Sequence, residues 1–263
     1  MDVHAPLTLE EALHLRAEHP DARPIAGGTD LMVALNAERE RPAALIDLGR
    51  VPELRGWRYE GDELVLGAAL TYTEAAAGEV AAALPALAAA SRTVGSPQIR
   101  NRGTIGGNLG TASPAGDSLP PLLVEDARVE LACSSGRRTL PLAEFLLGPK
   151  RSALAGDELV VAVRVRPSRA PQTFMKVGPR NAMVISICSL ALSADRERGQ
   201  LRAAFGSAGP VVGLVTAPLD EAEGFAEQVV AAASPIDDVR GTAAYRRHAL
   251  GVLTRRALAR CLV

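Results

Sequence analysis

The sequence predicts an α+β protein. Short apolar strands alternate with capped helices up to residue 170. Beyond the Pro-containing stretch "RPSRAPQ" (166–172) three strands follow one another before the helices resume. No two glycines stand two apart, so the G-x-G-x-x-G fingerprint of a doubly wound parallel sheet does not occur.

In chain order, Thr8 followed by Glu11 has capping-box spacing and opens a helix through "LEEALHLRAEHP", which Pro20 ends. "RPIAGG" reads as a strand running into a glycine turn, with Thr29 or Asp30 placed to cap a helix through "LMVALNAER". "AALIDL" is a second strand, so the first fifty residues read as helix, strand, helix, strand. "DELVLGAAL" (62–70) is a strand, and Thr71 with Glu74 opens an Ala-rich helix toward Leu87 that Pro85 kinks or splits. After a Gly-rich tract, "PPLLVEDA" is a short helix. "RVELACSSGRRTLPL" has the alternation and central Ser-Gly turn of a hairpin, and "DELVVAVRVRP" is a strand ended by Pro167. "TFMKVG", "AMVISICSLALSA" and "QLRAAFGSAG" read as three antiparallel strands, and the last helix is "TAAYRRHALGVLTRRALARCLV". The expected boundary near residue 170 separates 1–170, with subdomains about 1–55 and 56–170, from 171–263.

Composition narrows the function. The 263 residues are 48% hydrophobic but only 3% aromatic, so Ala, Leu and Val must pack the core. A net charge of −1 with scattered Lys and Arg offers no basic stripe for phosphate contacts, which excludes nucleic acid as a main partner. The longest apolar run, Val80 to Ala90, is broken by Pro85 and is shorter than the roughly 18 residues a membrane span needs. "MDVHAPLTLEEA" has no charged n-region before an apolar stretch, and the expected location is the cytoplasm. The three cysteines form no C-x-x-C and the four histidines no metal motif, so no metal site is expected on this chain.

Two glycine segments carry the chemistry: "PIAGGTDL" (24–31) and "RNRGTIGGNLGTASPAGDS" (100–118). Backbone N–H groups of a Gly-rich turn can converge on an anion because no Cβ blocks the approach. A helix starting after the turn adds its positive end. Gly27-Gly28-Thr29-Asp30 has both features, and Thr104-Ile105-Gly106-Gly107-Asn108 is expected to offer the same amide donors with two side chains besides. Together they could grip a pyrophosphate from two sides. The absence of G-K-[ST] speaks against a P-loop.

These segments, with "FMKVGPRNAMVIS" (174–186) and "DDVRGTAAYRRHALGVLTRRAL" (237–258), resemble the FAD-binding medium subunit of the molybdenum hydroxylases, the xanthine dehydrogenase and carbon monoxide dehydrogenase type. The resemblance runs nearly end to end. It implies a PCMH-type FAD-binding domain, as in vanillyl-alcohol oxidase, with two subdomains. A CO dehydrogenase flavoprotein C-terminal-like α+β domain follows. The chain departs from the family pattern at "FGSAGPVVGL" (205–214), where members often read Ala-Pro-Thr-Pro followed by an Arg.

By resemblance, Pro24, Ile25, Ala26, Gly27, Gly28, Thr29, Asp30 and Leu31 form the first FAD loop. Thr104, Ile105, Gly106, Gly107 and Asn108 form the second, with Thr111 and Ser113 beside it. Asp117 corresponds to an acidic residue at the adenosine-side hydroxyls. Lys176 corresponds to a flavin-side lysine, where a cation favours the anionic reduced ring. Val94 matches a position that packs on the cofactor, and Leu159 or Val160 one that touches the flavin. No His falls near either loop, so the FAD is expected to be noncovalent.

The implied role is an electron-transfer subunit with no catalytic acid or base of its own. A large molybdopterin-binding subunit would carry the molybdenum cofactor and a small subunit the [2Fe–2S] clusters. NAD⁺ or a quinone would accept the electrons. The alternatives are a stand-alone flavin oxidoreductase on the same fold and a non-enzymatic nucleotide-binding module.

Overall fold

A computed structural model describes all 263 residues. The N-terminal layer holds β1 (Asp2–His4), α1 (Leu9–Glu18), β2 (Arg23–Ile25), α2 (Leu31–Asn36) and β3 (Ala44–Asp47). Its strands form a parallel sheet in the order β1-β3-β2. The Thr8 hydroxyl accepts the Glu11 N–H at 3.1 Å, as the spacing predicted. β1 is an addition to the sequence reading, because a three-residue strand with one apolar side chain leaves no periodic signal.

The second layer begins with β4 (Trp57–Glu60) and β5 (Glu63–Gly67). Six helices follow: α3 (Tyr72–Ala75), α4 (Gly78–Ala83), α5 (Pro85–Thr93), α6 (Pro97–Arg102), α7 (Ile105–Thr111) and α8 (Leu119–Val124). β6 (Arg128–Cys133) and β7 (Gly136–Pro141) make the predicted hairpin. After α9 (Leu142–Phe145), β8 (Leu146–Gly148) pairs with β9 (Arg151–Ser152), and β10 (Leu159–Val165) returns to the middle of the sheet. The sheet is antiparallel throughout, in the order β4-β5-β10-β6-β7. The Ala-rich stretch breaks twice. Gly78, at φ +57°, opens α4 and Pro85 opens α5 at its first turn, where its missing N–H costs nothing.

The C-terminal lobe is a four-stranded antiparallel sheet, β11 (Gln172–Val177), β12 (Cys188–Asp195), β13 (Gln200–Gly206) and β14 (Gly213–Pro218), with α10 (Phe225–Ala232) and α11 (Ala243–Cys261). Every residue of β12 is buried. Alternation explains why. Phe174, Ala191 and Ala204 face the larger core, which includes Leu87 of α5 and Leu122 of α8. Leu190, Leu192 and Phe205 face Phe225, Val229, Leu250 and Leu253 of α10 and α11. The sheet therefore separates two apolar cores. β12 is shorter than predicted, because residues 182–186 make no backbone bond to a strand and Ile187 makes only one, to the Val177 carbonyl at 2.8 Å; β14 adds a fourth strand.

Candidate cofactor site

The first glycine loop connects β2 to α2. From Ala26 to Leu31 no amide N–H donates to a protein acceptor. Such a run is unusual, since folded chains pair nearly all N–H groups that are not left to solvent or a ligand. Gly28 sits at φ +71°, in the left-handed region, and turns the run back on itself. Residues 26–29 are half-buried. Successive free amides around a left-handed glycine form a concavity suited to phosphate oxygens. Neither Thr29 nor the Asp30 side chain caps α2. Asp30 precedes the helix without a side-chain cap bond, and its Oδ2 accepts the Thr111 hydroxyl at 3.0 Å instead.

The second segment works differently from the sequence expectation. Helix α6 feeds it. Its amides are already used. Ile105 donates to the Leu70 carbonyl at 2.9 Å and Gly106 to the Ala68 carbonyl at 2.8 Å. Gly107 donates to Thr104 Oγ1 at 3.0 Å, the N-cap bond of α7, and Asn108 to the Thr104 carbonyl at 3.1 Å. Gly106 is a packing glycine, because a Cβ there would lie 2.6 Å from that of Ala68. The segment offers open surface in place of donors. Gly107, Gly110 and Thr111 share one helix face. A Cβ at Gly110 would meet nothing within 4 Å, and one at Gly107 only the Thr104 hydroxyl at 2.9 Å.

The two segments meet. A Cβ on Gly27 would lie 1.9 Å from the Arg102 carbonyl oxygen, so the first loop rests directly on the backbone that enters the second. With the Asp30–Thr111 bond at the other end, the glycine face of α7 is fixed beside the run of free amides. The phenol ring of Tyr72 supports the join. It packs where a Gly103 Cβ would point, and the Tyr72 N–H donates to the Gly103 carbonyl at 3.1 Å.

A polar chain continues from α7. Ser118 Oγ donates to Asn108 Oδ1 at 2.6 Å. The neighbouring Asp117 is 8% exposed and accepts from Lys176 Nζ at 2.6 Å on Oδ2 and from the Ser186 hydroxyl at 2.5 Å on Oδ1. Lys176 also donates to the carbonyls of Thr93 at 2.8 Å and Val184 at 3.3 Å. Burial pushes the Asp117 carboxyl up, and the Lys176 charge and the two hydrogen bonds only partly oppose it. Asp117 and Lys176, which the resemblance assigns to the adenosine and flavin sides, form one buried ion pair.

The remaining predicted residues divide. Pro24 and Ile25 belong to β2, and Thr104 is the buried cap of α7. Ser113 accepts the Ala115 N–H in a local turn. Val94 ends α5 next to the Thr93 carbonyl that receives Lys176. Leu159 and Val160, at 2% and 9% exposure, are core residues beside a bulge in β10 and have little surface left for a ring. The sequence reading missed Tyr72, Ser118 and Ser186. Ser186 closes the quoted stretch "FMKVGPRNAMVIS", which is the one signal that could have found it.

A parallel three-stranded layer, an antiparallel sheet and a glycine-lined cleft with free backbone amides define a nucleotide-coenzyme-binding chain. Residues 1–168 match the family model described as the FAD-binding domain in molybdopterin dehydrogenase. The chain belongs to that family, and its cofactor is FAD. It is 32% identical to the xanthine dehydrogenase FAD-binding subunit of Escherichia coli O157:H7, over 97% of this chain and 94% of the relative. It is 30% identical to the carbon monoxide dehydrogenase medium chain of Hydrogenophaga pseudoflava, over 99% and 98%. The solved Hydrogenophaga pseudoflava carbon monoxide dehydrogenase that lacks the Mo-pyranopterin moiety superposes with a TM-score of 0.92 at 29% identity, covering 100% of this chain and 97% of that one. The fold is that of these medium chains, and the chain is an oxidoreductase component.

Proposed function

We propose that this chain is the FAD-binding electron-transfer subunit of a multi-subunit molybdenum hydroxylase. The observation that carries the assignment is the unbroken run of unpartnered amides from Ala26 to Leu31, seated on the second glycine segment. Those amides would hold the diphosphate, whose charge their N–H dipoles offset. The bare face of α7 lets the nucleotide approach the backbone closely. Asp117 and Lys176 would meet the cofactor together, as a fixed charge pair. Thr104, by contrast, shapes the site through its cap bond.

What FAD supplies when bound is exchange between the one-electron [2Fe–2S] clusters of a small partner subunit and an acceptor such as NAD⁺ or a quinone. Oxidation of the substrate would belong to a large molybdopterin-binding subunit. The relatives that span this chain almost end to end are FAD subunits and medium chains of such dehydrogenases, which supports that division. In this reading, this chain's residues bind and orient the cofactor and set the charge around it, and none needs to move a substrate proton.

Flavin titration of Gly107→Val tests the assignment. The added side chain should obstruct the bare face of α7; because its Cβ presses on the Thr104 cap hydroxyl, some melting temperature is lost, and affinity is read on the variant whose circular dichroism shows it folded. FAD affinity should fall at least about tenfold, or ~1.4 kcal/mol. Undiminished FAD affinity in the folded variant overturns the site. Purification from the native host with no iron or molybdenum chain attached overturns the subunit role.

A further inference from the structure

We propose that Ser186 is a positioning residue for the cofactor site. In this role it holds Asp117 in place as the counter-charge to Lys176 and so sets the charge that the flavin experiences. The inference rests on the FAD reading above and adds a residue and a mechanism to it.

The geometry is specific. Ser186 is fully buried, and its hydroxyl donates to Asp117 Oδ1 at 2.5 Å while Lys176 donates to Oδ2 at 2.6 Å. Each carboxylate oxygen therefore has one partner, and both partners come from the C-terminal lobe, whereas Asp117 lies just before α8. Ser186 makes no ladder bond itself, but Ile187 beside it does, donating its N–H to the Val177 carbonyl of β11 at 2.8 Å. Its position is fixed from the other side as well. The next residue, Ile187, gives its carbonyl to Arg246 Nη1 at 2.8 Å. Arg246 is 1% exposed, binds the Ser207 carbonyl at 2.6 Å with the same nitrogen, and is anchored through Nη2 to Asp238 at 2.5 Å. A charged side chain so deeply buried persists only when its partners are fixed. The clamp thus runs from Asp238 through Arg246 and the Ile187 backbone to Ser186, and ends on the Asp117–Lys176 pair.

Removing the hydroxyl leaves Asp117 Oδ1 buried without a donor. The carboxylate is then held less well as an anion, and the Lys176 charge is less compensated. A more positive surrounding favours the reduced flavin, so the midpoint potential should rise.

The test is a spectroelectrochemical titration of the FAD-loaded chain as wild type, Ser186→Ala and Ser186→Thr. Expected is an upward shift of the potential and a displaced visible flavin band in Ser186→Ala, with Ser186→Thr, which keeps the hydroxyl, restored to wild type. A Ser186→Ala potential and spectrum identical to wild type overturn the proposal. If Ser186→Ala does not fold, Ser186→Cys carries the same test with a weaker donor of similar size, and its unchanged potential overturns the proposal equally. A wild-type chain that binds no FAD sinks the underlying reading, whereas bound FAD with matching potentials sinks only the role of Ser186.

Discussion

The ammonium of Lys176 stands 2.6 Å from Oδ2 of Asp117, joining the first strand of the C-terminal lobe to the turn before α8. Both side chains are more than nine-tenths buried. Breaking a buried pair by removing one charge costs ~3–5 kcal/mol, because the survivor is left uncompensated. Asp117→Asn should lower unfolding free energy by that order in urea titration. Adding Lys176→Met should recover part of the loss, since no lone charge then remains. A double variant less stable than the single one by the full cost of a second lesion would contradict the pairing.

Gly27→Ala should damage both stability and cofactor retention. Its Cβ would press on the Arg102 backbone, which cannot rotate away as a side chain would. Overpacking of this kind costs ~1–3 kcal/mol. The ratio of flavin to protein absorbance after gel filtration, read beside the melting temperature, checks the prediction. A stable yellow variant would show that the two segments do not touch.

Gly106→Ala should separate packing from binding. The methyl group would meet Ala68 and not the cleft. Stability should drop by ~1–3 kcal/mol, while the fraction that stays folded binds FAD as wild type does. Equilibrium dialysis on the folded fraction distinguishes this from a direct role in the site.

Acid should loosen the C-terminal lobe at a defined place. Burial raises the Asp238 carboxyl, but bonds from the Arg240 side chain and backbone and from Arg246 outweigh it and bring the group down to about 2. A depressed carboxyl contributes stability above its unfolded value near 4, and that contribution is lost as pH falls from about 4 to 2. Susceptibility to an acid-active aspartic protease, or tyrosine fluorescence of the lobe, should change in that window. Asp238→Asn should lose the transition and be less stable at neutral pH.

Much of the architecture was legible locally. Thr8 and Thr71 cap the helices their spacing marks, and the hairpin through Ser134 and Ser135 forms where its alternation places it. The glycine segments were legible as a pair, and the contact between Gly27 and Arg102 bears out their proximity. The use of their amides was not. Whether Gly106 N–H is free depends on Ala68, which arrives from another element. Likewise Asp117 and Lys176 lie 59 residues apart, and nothing local to either announces the other. Residues 182–187 have the apolar look of a strand. The Ser186 hydroxyl turns to Asp117, and the Ile187 carbonyl, a group that a ladder would have used, goes to Arg246, leaving only the Ile187 N–H bonded to β11.

The two-sided burial of β12 bears on how the molecule comes apart. A chain ended at residue 170 would strip α5 and α8 of their cover and leave Leu87 and Leu122 facing water. The smaller lobe alone would expose the other side of Phe174, Ala191 and Ala204. Neither half is equipped for independence, so melting should be a single cooperative event, and the coenzyme cradle should vanish in the same step as the shared sheet.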